Sequence, residues 1–110
     1  MKQEITSLQT LQDIIQNEIG VLLYFSTPTC NVCKALKPKI SQEFKSNFPK
    51  IKQVYIDASL SKDIAAYYHV FSVPTILVFL DSKEFARESR NVSISLLTGK
   101  IKRIYNILMG

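Results

Sequence analysis

The 110-residue sequence has no tryptophan, one histidine, two cysteines and three glycines. Each shortage removes a class of protein. Two cysteines are too few for a small scaffold stapled by several disulfides. A structural zinc site usually takes four ligands, and beyond the two cysteines only His69 is a good candidate. Three scattered glycines leave no glycine-rich loop to cradle phosphate. No apolar run approaches the roughly 20 residues a membrane-spanning helix needs. The opening "MKQEITSLQTLQDIIQNE" carries acids and glutamines where a secretory signal has a continuous apolar segment. A soluble cytoplasmic protein with no membrane partner is expected.

What is present supports one globular unit. Hydrophobic residues make up 46% of the chain, enough for a core, and the length suits a single domain over residues 1–110. Lys and Arg exceed Asp and Glu by 14 to 9, a formal charge of +5. The basic residues are scattered, and the densest cluster, "KIKRIY" at 100–105, looks like the solvated face of a helix. With no basic stripe interleaved with stacking aromatics, a nucleic-acid partner is not expected.

The hydrophobic spacing alternates between helix and strand. "LQTLQDIIQNEIG" is helical through Leu8, Leu11, Ile14 and Ile15, with Gly20 as its stop. "VLLYF" (21–25) is a strand covered on both faces. "KALKPKISQEFKSNF" is helical through Leu36, Ile40, Phe44 and Phe48, kinked at Pro38. Next come a strand in "IKQVYID", a helix in "ASLSKDIAAYYHV" capped by Ser61 or Ser59, and a buried strand in "PTILVFL". A turn at "DSKE", an edge strand at "FARES" and an amphipathic helix from 93 to 108 complete the chain; "QEIT" is a candidate further edge strand. Strands alternating with helices, followed by a late hairpin, imply a three-layer α/β/α sandwich around a mixed sheet.

The cysteines stand two residues apart in "VLLYFSTPTCNVCKALKP", 21–38. The strand delivers the chain through "STPT" so that Cys30 opens the next helix. Unpaired N–H groups and the helix dipole there favour thiolate over thiol. Cys33, one turn on, is close enough to bond the first sulfur. A four-residue disulfide loop removes little chain entropy, so a purely structural staple gains little. Redox chemistry fits the spacing best, with Cys30 exposed and nucleophilic and Cys33 more buried and resolving.

"STPTCNVCKALKP" resembles the active-site segment of thioredoxins, and "VFSVPTILVF" resembles their second signature, a proline loop facing the dithiol. The resemblance runs from "LQTLQDII" to the last helix and implies the thioredoxin fold. It also implies a cis Val73–Pro74 bond with Pro74 against the Cys30–Cys33 disulfide. Thr29, Asn31, Val32, Phe71, Ser72 and Val73 would line a groove in which Val73 pairs with an extended substrate segment. The implied activity is protein-disulfide reduction by thiol–disulfide exchange. Its partners would be protein disulfides and a reductase or small thiol as electron donor. The protein would be a monomer, with no metal or organic cofactor beyond the Cys30–Cys33 pair.

Departures from the family pattern are equally specific. Thr29 stands where thioredoxins usually carry Trp, and Asn31–Val32 stand where they carry Gly-Pro. Tyr24 replaces a buried acid associated with deprotonating the resolving cysteine, and Gln53 replaces its lysine neighbour. Arg90 stands at a glycine that lets substrate backbone approach. Those changes keep two rivals in view: a specialised dithiol oxidoreductase or isomerase with restricted partners, and a thioredoxin-like binding module with little redox role.

Overall fold

The computed structural model describes residue 1 and residues 3–109. Lys2 and Gly110, at the two ends of the expected domain, lie outside the described residues. The elements are α1 (Leu8–Asn17), β1 (Gly20–Ser26), α2 (Asn31–Asn47), β2 (Lys52–Asp57), α3 (Lys62–Tyr67), β3 (Thr75–Leu80), β4 (Lys83–Ser89) and α4 (Ile94–Met109). The sheet order is β2-β1-β3-β4, with β1 parallel to β2 and antiparallel to β3, and β3 antiparallel to β4.

The apolar run of β1 is central because it is buried from end to end. Alternation along a strand sends successive side chains to opposite faces. Leu22 and Tyr24 therefore join Ile40, Phe44, Leu97 and Ile101 of α2 and α4 in one core. Val21, Leu23 and Phe25 join Leu11, Ile15 and Ile64 of α1 and α3 in the other. Two cores on two faces of one sheet make the expected three-layer sandwich.

Several local expectations are corrected. Gly20 does not end α1; that helix stops at Asn17, and Gly20 is the first residue of β1. A Cβ there would lie 2.6 Å from Met109 Cε and 3.0 Å from Ile51 Cγ1, so close approach of the last helix explains the glycine. "QEIT" forms no named strand. It contributes one parallel bridge, Glu4 to Tyr55, with Ile5 N–H donating to the Tyr55 carbonyl. Ser61 occupies the N-cap of α3 but makes no side-chain cap, while Ser59 turns to the Asp57 carboxylate instead. The β3–β4 turn is shorter than "DSKE": only Asp81 and Ser82 lie between the strands, both in the left-handed region (φ 53° and 67°). Two positive φ values in a two-residue loop match the twist of a hairpin. Asp tolerates that conformation through its short polar side chain, which is why a chain poor in glycine can still turn there.

Candidate active site

One end of the sheet gathers the two signatures. Phe25 of β1 pairs with Thr75 of β3, and Thr75 with Ser89 of β4. The segment leaving β1 toward Cys30, the Val73–Pro74 segment entering β3, and Arg90 leaving β4 therefore emerge side by side. Ser26 pairs with Asp57 at the same end, and the Ala58 N–H donates to the Ser26 carbonyl. The loop into α3 is thus tied to the group.

Cys30 and Cys33 are joined as a disulfide, with Cα atoms 5.2 Å apart. Cys30 is the N-cap of α2, in extended conformation, and its Sγ accepts the Cys33 N–H at 3.2 Å. That is the position of an Asn or Ser cap, with sulfur in place of oxygen. Cys30 is partly exposed, whereas Cys33 is fully buried in the α2–α4 core. Thr29, Asn31 and Val32 are exposed around them, Val32 at 63%.

Val73–Pro74 is a cis peptide bond. Pro74 is buried, Ser72 and Val73 are partly exposed, and Phe71 projects at 84% exposure. Val73 packs on the same core cluster as Cys30. The neighbouring carbonyls are occupied: Ser72 accepts from the Thr75 hydroxyl and Pro74 from the Arg90 N–H. The Val73 N–H and C=O have no partner among the described residues.

Tyr24 stands where the family has its acid, and its hydroxyl donates to the backbone carbonyl of Cys33 at 2.6 Å. It meets Tyr55, not Gln53, across the strand pair, with ring centroids 6.4 Å apart. Burial, reinforced by the neighbouring Tyr55, pushes the Tyr24 hydroxyl up to about 12. Ser26 and Tyr55 share a hydroxyl contact of 3.2 Å, and the Lys37 ammonium sits 4.2 Å over the Tyr55 ring. Gln53 is placed elsewhere, paired with Leu22 and donating to the Ser41 carbonyl.

Arg90 lies in the left-handed region at φ 62°. Among the described residues, four non-glycine residues adopt positive φ: His69, Asp81, Ser82 and Arg90. His69, at the end of α3, exposes its side chain, and its carbonyl accepts from Arg87 at 3.0 Å. Asp57 folds its carboxylate into the following turn, where the Ser59 hydroxyl and N–H hold it below the usual range.

The family model for thioredoxin matches residues 2–103. The thioredoxin-like protein YdfQ of Bacillus subtilis (strain 168) is 36% identical over 104 residues, covering 94% of this chain and 92% of that one. This chain belongs to the thioredoxin family. The thioredoxin of Pyropia yezoensis is 33% identical over 79 residues, covering 69% of this chain and 71% of its own. Mitochondrial thioredoxin 3 of Saccharomyces cerevisiae, in its oxidised form, matches the fold with a TM-score of 0.82 at 22% identity, covering 92% of this chain and 93% of its own. Family membership with an intact CxxC pair makes this thioredoxin-like protein a thiol–disulfide oxidoreductase of the reductase type. Neither the restricted isomerase nor the binding module is favoured.

The structure also brings residues to this end that sequence spacing did not single out. A depression of about 390 Å³ lies between α3 and the Val70–Val73 segment, with Thr27, Ala58, Ser59, Lys62, Ala65 and Ala66 among its walls. Ser72 and Val73 line it, while Thr29, Asn31 and Val32 do not. The two alanines on α3 were the available signal, since small residues on a helix face leave room beside it. No helix among the described residues is long and apolar enough to cross a membrane.

Proposed function

We propose that the chain acts as one thioredoxin-like domain that reduces protein disulfides, with Cys30 as nucleophile and Cys33 as resolving thiol. The observation that carries the assignment of roles is the asymmetry of the pair, a partly exposed N-cap sulfur followed by a fully buried one. In the reduced protein the Cys30 thiolate attacks one sulfur of the target. That sulfur stays bonded to Cys30, and the other leaves as a thiolate that takes a proton from solvent. Cys33 then gives up its proton and attacks Cys30 Sγ, forming the intramolecular disulfide and releasing the second target thiol. Two electrons and two protons pass to the target, and a dithiol reductase or small thiol restores Cys30 and Cys33.

Helix geometry supports the first step. The Cys33 N–H donates to Cys30 Sγ at the start of α2, and that bond together with the helix dipole stabilises negative charge on the sulfur. Val73, with both backbone groups unpaired, offers the target an extended edge for strand addition. Thr29, Asn31, Val32, Ser72 and Pro74 frame that edge. Tyr24 takes no proton in the second step: its hydroxyl is already donated to Cys33 O and stays protonated well above neutral pH. The Cys33 proton therefore leaves to water, without a neighbouring carboxylate. The working form is a cytoplasmic monomer.

Catalysed reduction of a disulfide-bonded protein by dithiothreitol tests the roles. Cys30→Ser is expected to abolish turnover. Cys33→Ser is expected to accumulate a mixed disulfide through Cys30. Trapping through Cys33 in the Cys30→Ser protein would reverse the assignment.

A further inference from the structure

The positive charge of this chain has a local counterpart at the dithiol end. Lys62 lines the depression beside Val73. Arg90 is anchored there by its N–H bond of 2.8 Å to the Pro74 carbonyl, and its side chain is exposed. Lys34, exposed on the turn that carries Cys33, adds a third cation. None of the three has a carboxylate within salt-bridge distance among the described residues, where the ion pairs are Arg87–Glu84 and Lys100–Glu88. Two acids adjoin the depression wall in sequence: Asp57, buried and turned toward Ser59 and Leu60, and Asp63, exposed on the first turn of α3 and in no ion pair with Lys62 among the described residues. The apolar lining of the depression is Ala65 and Val70, both buried, with Ala66 and the projecting Phe71 exposed beside them. A site with an apolar lining and unpaired cations at its rim is complementary to an apolar side chain flanked by an acid.

We propose that this end of the molecule selects acidic target disulfides. The target segment would lie extended along Val73, seat a bulky apolar side chain between α3 and Phe71, and direct a neighbouring Asp or Glu to Lys62, with Arg90 and Lys34 attracting the segment's other acids. The inference rests on the strand-addition reading of Val73. It deepens that reading by naming the class of target. Occupation by an extended segment follows from continuity: the unpaired backbone of Val73 and the depression share one wall.

The experiment compares two disulfide-bonded peptides that differ only in carrying Glu or Lys beside the apolar residue next to their cysteine. Both are reduced by the intact protein with dithiothreitol as the terminal reductant. A single exposed charge pair is weak on its own, but two or three cations acting together should favour the acidic peptide by about fivefold in kcat/KM at low salt. The ratio should fall toward one at about 1 M salt, where the screening length shrinks to about 3 Å. Lys62→Glu should lower the ratio at least threefold. Because each ratio compares two substrates on one protein sample, it does not depend on how much of the variant is folded.

A ratio near one at low salt, unmoved by Lys62→Glu, would overturn the proposal. Reduction of a neutral small aromatic disulfide by the unaltered protein separates the two possible failures. If that disulfide is reduced while the peptides show no charge preference, only the selectivity proposal falls. If it is not reduced, the dithiol reading falls as well.

Discussion

Replacing Arg90 by glycine should make this protein more stable, although Arg90 borders its active site. At φ 62° the Arg90 Cβ is forced toward the following carbonyl. Holding an L-residue there costs about 1–2 kcal/mol. Glycine is free of that penalty but gives up about 0.5–1 kcal/mol more conformational freedom on folding. The difference favours glycine by about 0.5–1 kcal/mol, since the exposed Arg90 side chain makes no hydrogen bond or ion pair among the described residues and its N–H bond to Pro74 remains. In a domain near 100 residues, 1 kcal/mol moves Tm by about 4–8 °C. Arg90→Gly should therefore raise Tm by about 2–8 °C in thermal unfolding of the oxidised protein followed by circular dichroism. Arg90→Ala is the control: it removes the same charge and keeps the Cβ, so its Tm should stay within about 2 °C of the unaltered protein. If glycine lowered Tm, or if alanine raised it equally, backbone strain at position 90 would not be the cause.

Tyr24→Phe removes a buried hydroxyl donated to Cys33 O and should cost about 0.5–1.5 kcal/mol in urea unfolding. The pH dependence of disulfide reduction near neutrality should keep its shape in that variant, and a shifted profile would show that Tyr24 does move the Cys33 proton. Burial raises Tyr24 and Tyr68 to about 12, above their unfolded value of about 10. The sign follows: this contribution is complete below pH ~10 and is lost as pH rises through ~12, so the urea midpoint should fall in that window. A flat midpoint across it would refute the burial argument. Asp57 is held below its usual value by Ser59, so its contribution is present above pH ~4 and is lost as pH falls through the lower folded value. Asp57→Asn should flatten the acid limb of a stability–pH profile. Arg87 donates to the Tyr68 and His69 carbonyls at the end of α3 and pairs with Glu84. Arg87→Ala should cost about 1–2 kcal/mol by leaving those carbonyls unserved, and a change below about 0.3 kcal/mol would contradict the capping role.

Much of this was readable before any coordinates, and the reason differs from element to element. The β1 run could be read because a strand buried on both faces is apolar throughout, and the disulfide pair because two residues of spacing on a first helical turn leave little freedom. The cis bond followed from family resemblance, since nothing in "SVPT" alone distinguishes it from a trans proline opening a strand. Gly20 was misjudged because a glycine after an amphipathic helix reads as a stop; its actual constraint is Met109, 89 positions away in the chain. The partner of the Tyr24 hydroxyl was equally hidden, being a backbone carbonyl that carries no residue-type signal. Left-handed backbone at Arg90 is likewise silent in sequence, because arginine does not ordinarily mark it. The depression beside α3 needed the helix and the Val70–Val73 segment to be placed together before Ala65, Ala66 and Lys62 acquired a meaning.

The reduction potential of the Cys30–Cys33 pair tests the central claim most directly. It is obtained by equilibrating the protein with glutathione and dithiothreitol redox buffers and quantifying the two thiols. A protein-disulfide reductase of this family should form the disulfide reversibly, with a potential near thioredoxin's value of about −270 mV. A value between about −120 and −180 mV, the range of dedicated oxidants and isomerases, or no reversible disulfide at all, would contradict the reductase account.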